Sequence, residues 1–218
     1  MDRRLITILL GAVMVFSLFG CGNKAVLGKG KFSEQDIVPV MESRLNQKYG
    51  EDFKVSSVEK GDDGVDFSKS YYLADAVCSS NGVAFKLRIE TDGSGISDNY
   101  EGYLYKSEIE KEIADLFSEA RGLQSSGLTV EFLFSDSASK TIDKYKKTGN
   151  AVVQTSIKVD AGTAADAADA AFDLINALQD DGYGYSLDFE WNGEHVILYR
   201  DGLYEKVTKE LIRRKFGV

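Results

Sequence analysis

Asn81-Gly82-Val83-Ala84-Phe85-Lys86-Leu87-Arg88-Ile89 decides the fold of this chain. Val83, Phe85, Leu87 and Ile89 fall on one side of the run, Lys86 and Arg88 on the other. A period of two is that of a strand with one face buried and one face wet. Asn-Gly is the preferred pair for a two-residue hairpin turn, whose central positions need positive φ. The preceding run alternates as well, with Tyr72, Ala74, Ala76 and Cys78 on one face. Residues 71–89 therefore predict an antiparallel hairpin.

Outward from this hairpin, helical and strand-like segments alternate. Ile37, Met41 and Leu45 recur at helical spacing and predict a first helix over 36–49. Pro39 is the only proline in the chain. A proline lacks an N–H and suits the first turn of a helix, which favours Asp36 over Ser33 as the cap. Phe53 to Val58 reads as a strand. After a glycine- and aspartate-rich loop, Ile109, Ile113, Leu116, Phe117 and Ala120 predict a second helix over 104–121. Thr129 to Phe134 is a strand, Ile142 and Tyr145 mark a short helix, and Val153, Thr155, Ile157 and Val159 form the inner face of another strand. A helix over 163–178 is capped by Thr163, with Asp166 three residues on in an approximate capping box. Tyr185, Leu187, Phe189 and Trp191 alternate, Asn192-Gly193 turns, and His195, Ile197 and Tyr199 answer. A last helix runs over 203–216.

The expected class is α+β: antiparallel hairpins flanked by helices. The order helix, Asn-Gly hairpin, helix occurs twice, and the closing helices begin alike at Leu104-Tyr105 and Leu203-Tyr204. Two similar lobes, 33–122 and 128–218, joined at the Gly/Gln/Ser stretch 122–127, fit this pattern. One continuous domain over 33–218 fits it too.

The N-terminus carries a separate message. Arg3 and Arg4 precede an apolar run from Leu5 to Phe19, which is followed by Gly20 and Cys21. The run is short for a spanning helix, which needs about 20 residues. Basic start, apolar core and small residue are the parts of an export signal. With its cysteine, Leu18-Phe19-Gly20-Cys21 resembles the lipobox of bacterial lipoprotein precursors. The resemblance covers residues 1–21 alone. It implies that residues 1–20 are a removed signal peptide and that the Cys21 thiol carries a diacylglyceryl group. It also implies a body lipid-anchored at the extracytoplasmic face of the cell membrane. Thioether formation needs a strong nucleophile, which is why a cysteine stands there. Two acyl chains anchor stably where one is marginal. The rest of the chain has the general look of small accessory lipoproteins. Residues 22–32 are polar and glycine-punctuated and read as a tether, reaching roughly 20 Å as a coil and about 40 Å stretched.

The chain is acidic, with a formal charge of −9. Removal of Asp2, Arg3 and Arg4 would leave it more acidic still. Like charge repels nucleic acid and anionic lipid, and no Lys/Arg cluster offers a phosphate-binding stripe. Nucleic acid is therefore not an expected partner. With Cys21 lipidated, Cys78 has no partner for an internal disulfide, and its strand position predicts burial.

Motifs for chemistry are few. His195 is the only histidine, and it follows a hairpin turn, an exposed place for a catalytic base. One histidine and one hidden thiol are too few for a zinc site. Asp62-Asp63-Gly64-Val65-Asp66 and Asp92-Gly93-Ser94-Gly95-Ile96-Ser97-Asp98 resemble calcium loops. Counted from Asp92, however, position 5 is Ile96, position 6 Ser97 and position 12 Tyr103, where an EF-hand needs an oxygen ligand, glycine and glutamate. Both read as turns. Gly28-Lys29-Gly30-Lys31 lacks the strand that a phosphate loop follows. No cofactor and no metal are expected. Tyrosines in acidic, glycine-containing segments remain: Tyr100, Tyr103 and Tyr105 within 98–105, and Tyr183 within 181–185. A rigid, amphipathic ring in such a place can anchor a protein contact, here to a partner carrying basic groups.

The expectation is a non-catalytic binding or adaptor module, of accessory or immunity type, that engages a protein partner at the membrane surface. Two other readings stay open: a carboxylate-dependent hydrolase of an envelope polymer, and a small-ligand-binding lipoprotein with a cleft between lobes.

Overall fold

The structure, a computed structural model, describes residues 31–62, 70–200 and 207–218. The signal segment, Cys21, most of the tether, residues 63–66 of the first aspartate loop and the Leu203-Tyr204 helix start lie outside them.

Helix α1 spans Glu34–Tyr49 and buries Ile37, Met41 and Leu45. It starts earlier than Pro39 suggested. Ser33, not Asp36, is the cap: its Oγ accepts the Asp36 N–H at 3.2 Å and donates to the Asp36 carboxylate at 2.6 Å. That reciprocal cap and the burial of Ile37 outweigh the single helix bond that Pro39 cannot make. The exposed position of Pro39 leaves the carbonyl one turn before it open to water. Gly50, at φ 75°, closes the helix.

Helix α1 covers one face of an antiparallel sheet in the order β1(Phe53–Asp62), β2(Ser70–Cys78), β3(Ala84–Glu90), β4(Ser97–Asp98). Phe85, Leu87 and Ile89 are buried with Tyr72, Ala74, Ala76 and Cys78, as their alternation requires. The Asn81-Gly82 turn is longer than two residues. Cys78 N–H bonds Val83 O at 3.0 Å and Gly82 N–H bonds Cys78 O at 2.9 Å, so four residues lie between the paired ones. The Asn81 side chain accounts for this. Its Oδ1 accepts the Val83 N–H at 2.9 Å and its Nδ2 donates to the Tyr100 hydroxyl at 2.8 Å. The tether also ends sooner than expected. Phe32 N–H bonds Thr91 O, and Tyr72 donates to Phe32 O, each at 2.8 Å, so residues 31–32 belong to the body.

Helices α2(Tyr100–Leu104) and α3(Lys106–Glu119) follow. The second sheet has the order β5(Leu123–Phe132), β6(Ala151–Val159), β7(Gly184–Trp191), β8(Glu194–Arg200). The short helix α4(Ile142–Lys146) lies between β5 and β6. Strands β6 and β7 are parallel and joined by α5(Ala164–Asp180); the other two pairs are antiparallel. A parallel pair needs such a crossover. The small side chains Ala167, Ala168 and Ala171 let α5 lie close to the sheet, beside buried Leu174, Ile175 and Leu178. Helix α6(Lys209–Lys215) packs on α5, where Asp169 takes a bidentate Arg213 at 2.9 Å and Lys209 at 2.8 Å. These partners pull the Asp169 carboxyl down to about 2.

The class is α+β with two sheet units. The two units differ in topology: one is an antiparallel meander, the other contains a parallel crossover. Their Asn-Gly turns differ too. Asn192 and Gly193, at φ 52° and 79°, form the two-residue hairpin between Trp191 and Glu194. The lobe boundary also moves. Ile109, Ile113 and Phe117 of α3 sit in the second core, so packing divides the chain at about residues 99–105 and not at 122–127. The Gly/Gln/Ser stretch is the first half of β5. Its glycine marks a bulge between Ser126 and Thr129, with Gly127 at φ 68°. A glycine at a bulge of an edge strand mimics linker composition.

Thr163 Oγ1 accepts the Asp166 N–H at 3.1 Å and so caps α5. Thr163→Ala should lower the unfolding free energy by ~1 kcal/mol in urea titration.

Candidate functional site

The segment Asp98-Asn99-Tyr100-Glu101-Gly102, one of the tyrosine-bearing stretches, lies where the two lobes meet. Asp98 closes the first sheet. Its backbone exchanges two hydrogen bonds with Ser135, at 3.0 and 2.8 Å, so the chain just beyond β5 continues the edge of that sheet. Its carboxylate points inward. Lys48 Nζ lies 2.8 Å from Oδ2, with side-chain exposures of 9% and 0% for Lys48 and Asp98. Tyr49 donates to Oδ1 at 2.7 Å and the Tyr100 N–H at 3.0 Å. Lys48 reaches across to Ser135 O at 2.7 Å. Burial and then the Asp98 carboxylate hold the Tyr49 phenol far above its usual pKa, so it remains a donor.

Asn99 stitches the same seam. Its Oδ1 accepts the Lys86 N–H at 2.8 Å, and its Nδ2 donates to Phe132 O at 3.4 Å. Glu101 is buried, and its carboxylate accepts the Ser139 N–H at 2.9 and 2.7 Å and the Lys140 N–H at 2.7 Å. Successive N–H groups aimed at one point form an anion-binding nest, here with Lys140 in the left-handed region at φ 66°. An anion from the first helical turn of α2 thus fills a nest in the second lobe. Gly102 completes the fit. A Cβ there would lie 2.5 Å from the Phe132 Cβ and Cγ and 2.6 Å from the Tyr145 phenol oxygen.

The four tyrosines proposed as contact anchors part company. Tyr100 and Tyr183 are buried and offer no contact surface. Tyr100 lies among Tyr49, Phe53 and Phe85, with ring centroids 4.9–5.2 Å away, so it is core. Tyr105 is half-buried, its ring 6.0 Å from that of Tyr145. Tyr103 is 41% exposed and leans on Phe132, centroid to centroid 5.4 Å. Lys106 Nζ is 5.9 Å from the centroid of the Tyr103 ring, so a cation of the chain itself lies near it. Leu104 and Phe134 are exposed to a similar degree. They come from the same two segments, α2 and the run leading from β5 to Ser135. The surface at the junction is therefore Tyr103, Leu104 and Phe134.

Other candidates resolve into local roles. Ser94 binds Asp92 through its N–H at 2.9 Å and its hydroxyl at 2.6 Å, while Asp98 faces Lys48. The two ends of the second acidic loop therefore do not converge. Among the described residues no group of three potential ligands could hold a metal. Cys78 is buried, with its Sγ 3.1 Å from Glu51. His195 is exposed, and its Nδ1 lies 3.0 Å from Asp188. The Asp188 carboxylate raises its pKa above the usual 6.5. A shallow groove of about 460 Å³ runs between α3 and α5, floored by Leu116, Leu123 and Leu174 and rimmed by Glu119, Arg121 and Asp173. It lies within the second lobe, not between the lobes.

No protein-family model, curated protein or solved structure matches this chain significantly.

Asp98→Asn leaves the Lys48 ammonium buried without a counter-charge and should cost ~3–5 kcal/mol. Lys48→Met added to it should recover part of that loss. Denaturant titrations of the three chains check this; an equal or larger loss in the double variant would contradict the ion-pair account. In NMR titration His195 should titrate above 6.5 and return towards it in Asp188→Asn. The paired imidazolium favours the fold below pH 6.5, and that contribution fades as pH rises through the raised value.

Proposed function

We propose that this chain is a lipid-anchored, extracytoplasmic binding module that engages a protein partner at the outer face of the membrane. The observation that carries the reading is Leu18-Phe19-Gly20-Cys21 behind a basic start and a short apolar run. The thiol of Cys21 is the lipid acceptor in this reading. Support for a binding body comes from the junction. Tyr103, Leu104 and Phe134 are large apolar side chains held at the surface by segments that Asp98, Asn99 and Glu101 clamp on both sides. Exposed apolar groups on a rigid support keep their shape when a partner arrives and lose little conformational entropy on binding. The chemistry of the patch is aromatic and aliphatic, with Lys106 at its border, so it suits an apolar surface of a partner protein and not the basic groups expected from the acidic composition of 98–105.

Two measurements test the two halves separately. Cys21→Ser should abolish incorporation of labelled palmitate and leave an unprocessed precursor; unchanged labelling and unchanged mature mass would overturn the anchoring. A photo-crosslinking phenylalanine analogue at Tyr103 should capture one defined protein in membranes, and Leu104→Ser with Phe134→Ser should abolish the adduct. The same adducts from exposed position Lys54 would overturn the patch.

A further inference from the structure

The chain contains two Asn-Gly pairs, Asn81-Gly82 and Asn192-Gly193, both at hairpin turns. An asparagine before glycine is open to attack from its own backbone, because no side chain crowds the next nitrogen. An added Cβ would meet nothing within 4 Å at either glycine, so the two pairs do not differ in that respect. They differ in how the reacting groups are held. At Asn81 the leaving nitrogen, the carbonyl and the attacking nitrogen are all engaged. Nδ2 donates to the Tyr100 hydroxyl at 2.8 Å, on a ring that is 1% exposed. Oδ1 accepts the Val83 N–H at 2.9 Å, and the Gly82 N–H donates to Cys78 O at 2.9 Å. At Asn192 none of them is. Among the described residues its side chain has no hydrogen-bond partner, and the Gly193 N–H donates to no backbone carbonyl. Both residues are exposed, in the two-residue turn that ends β7 and begins β8.

We propose that Asn192 is a site of spontaneous covalent modification, conversion to aspartate and isoaspartate, and that the fold protects Asn81 from the same reaction. Solvent base takes the Gly193 N–H proton, and that nitrogen bonds to Asn192 Cγ. The Cγ–Nδ2 bond breaks, and Nδ2 takes a proton from water and leaves as ammonia. Water then opens the cyclic imide. Cleavage at Cγ gives aspartate and cleavage at the backbone carbonyl gives isoaspartate; either way the nitrogen regains its proton and a carboxylate is left. Ring closure needs rotation about the asparagine Cα–Cβ and Cα–C bonds. At Asn192 that rotation requires only that the tip of a hairpin open, a local event far cheaper than global unfolding. At Asn81 it would break both side-chain hydrogen bonds and the bond of the attacking nitrogen. The product adds negative charge to a hairpin that already carries Asp188, Glu190 and Glu194. In isoaspartate the main chain runs through the side-chain methylene. That longer backbone no longer fits a two-residue turn between Trp191 and Glu194.

Peptide mapping by mass spectrometry tests this on the full chain, purified in detergent and held at mildly alkaline pH. The readout is the mass gain of amide-to-acid exchange at each asparagine over time. In the folded chain Asn192 should convert at least about tenfold faster than Asn81, as expected when two side-chain hydrogen bonds must break first. In concentrated urea the two should convert at similar rates. Tyr100→Phe, which keeps the ring and removes the partner of Nδ2, should speed conversion at Asn81 in the folded chain. Equal rates in the folded chain, faster conversion at Asn81, or an Asn192 that converts in urea and not in the folded chain would overturn the proposal. So would a preference for Asn192 in urea as large as that in the folded chain, which would assign the difference to flanking sequence. An unchanged Asn81 rate in folded Tyr100→Phe would overturn the protection of Asn81.

Discussion

The buried contact between Asp98 and Lys48 is the constraint on which the arrangement of the two lobes depends. Removing two charges from water is costly, and their mutual attraction offsets that cost only with good geometry and filled hydrogen-bond positions. Here the positions are filled: Asp98 takes Lys48, Tyr49 and the Tyr100 N–H, and Lys48 takes Asp98 and the Ser135 carbonyl. The same residue pairs its backbone with Ser135. Helix α1, the last strand of the first sheet and the extension of β5 are thus tied at one point. Replacement by apolar residues could give similar stability, but an apolar contact would accept many relative placements of the lobes. A carboxylate with three donors accepts few.

Much of the fold was legible because its elements are locally consistent. The 3.6-residue spacing of Ile37, Met41 and Leu45 and the alternation in Phe85, Leu87 and Ile89 each report a buried face, and those faces are buried. Thr163 caps α5 as its side-chain chemistry suggests. Failures occurred where the deciding contact lay outside the local pattern. Asn81 lengthened its own turn by bonding Val83 and Tyr100, and no local pattern shows a tyrosine nineteen residues away. Gly127 looked like a linker because bulges and linkers favour the same residues. The lobe boundary was misplaced because the apolar stripe of α3 says that it is buried but not against which sheet.

The candidate site was legible only in part. The stretch 98–105 stood out by composition, yet Tyr100 points into the core and Glu101, an ordinary helix-surface residue by type, is buried against the second lobe. A charged residue buried in a backbone nest leaves no trace in hydrophobic periodicity. The nest needs Lys140 in a left-handed conformation, which lysine does not advertise. Gly102 was the available hint: a glycine in a short helix signals close approach, and here Phe132 and the Tyr145 phenol take the space of its missing Cβ.

The docking of Phe32 has a mechanical meaning. Its N–H is held by Thr91, and its carbonyl by the Tyr72 hydroxyl. In a chain held at residue 21, any pull would enter the body at these two bonds and pass directly into β2 and the corner after β3. The second lobe would feel that load through Asp98, Asn99, Glu101 and the Lys48 bond to the Ser135 carbonyl. Under such anchoring the first lobe would be the mounting bracket and the second the carried part, and the stiffness of the seam would set how faithfully a force at the bracket reorients the surface that the second lobe presents.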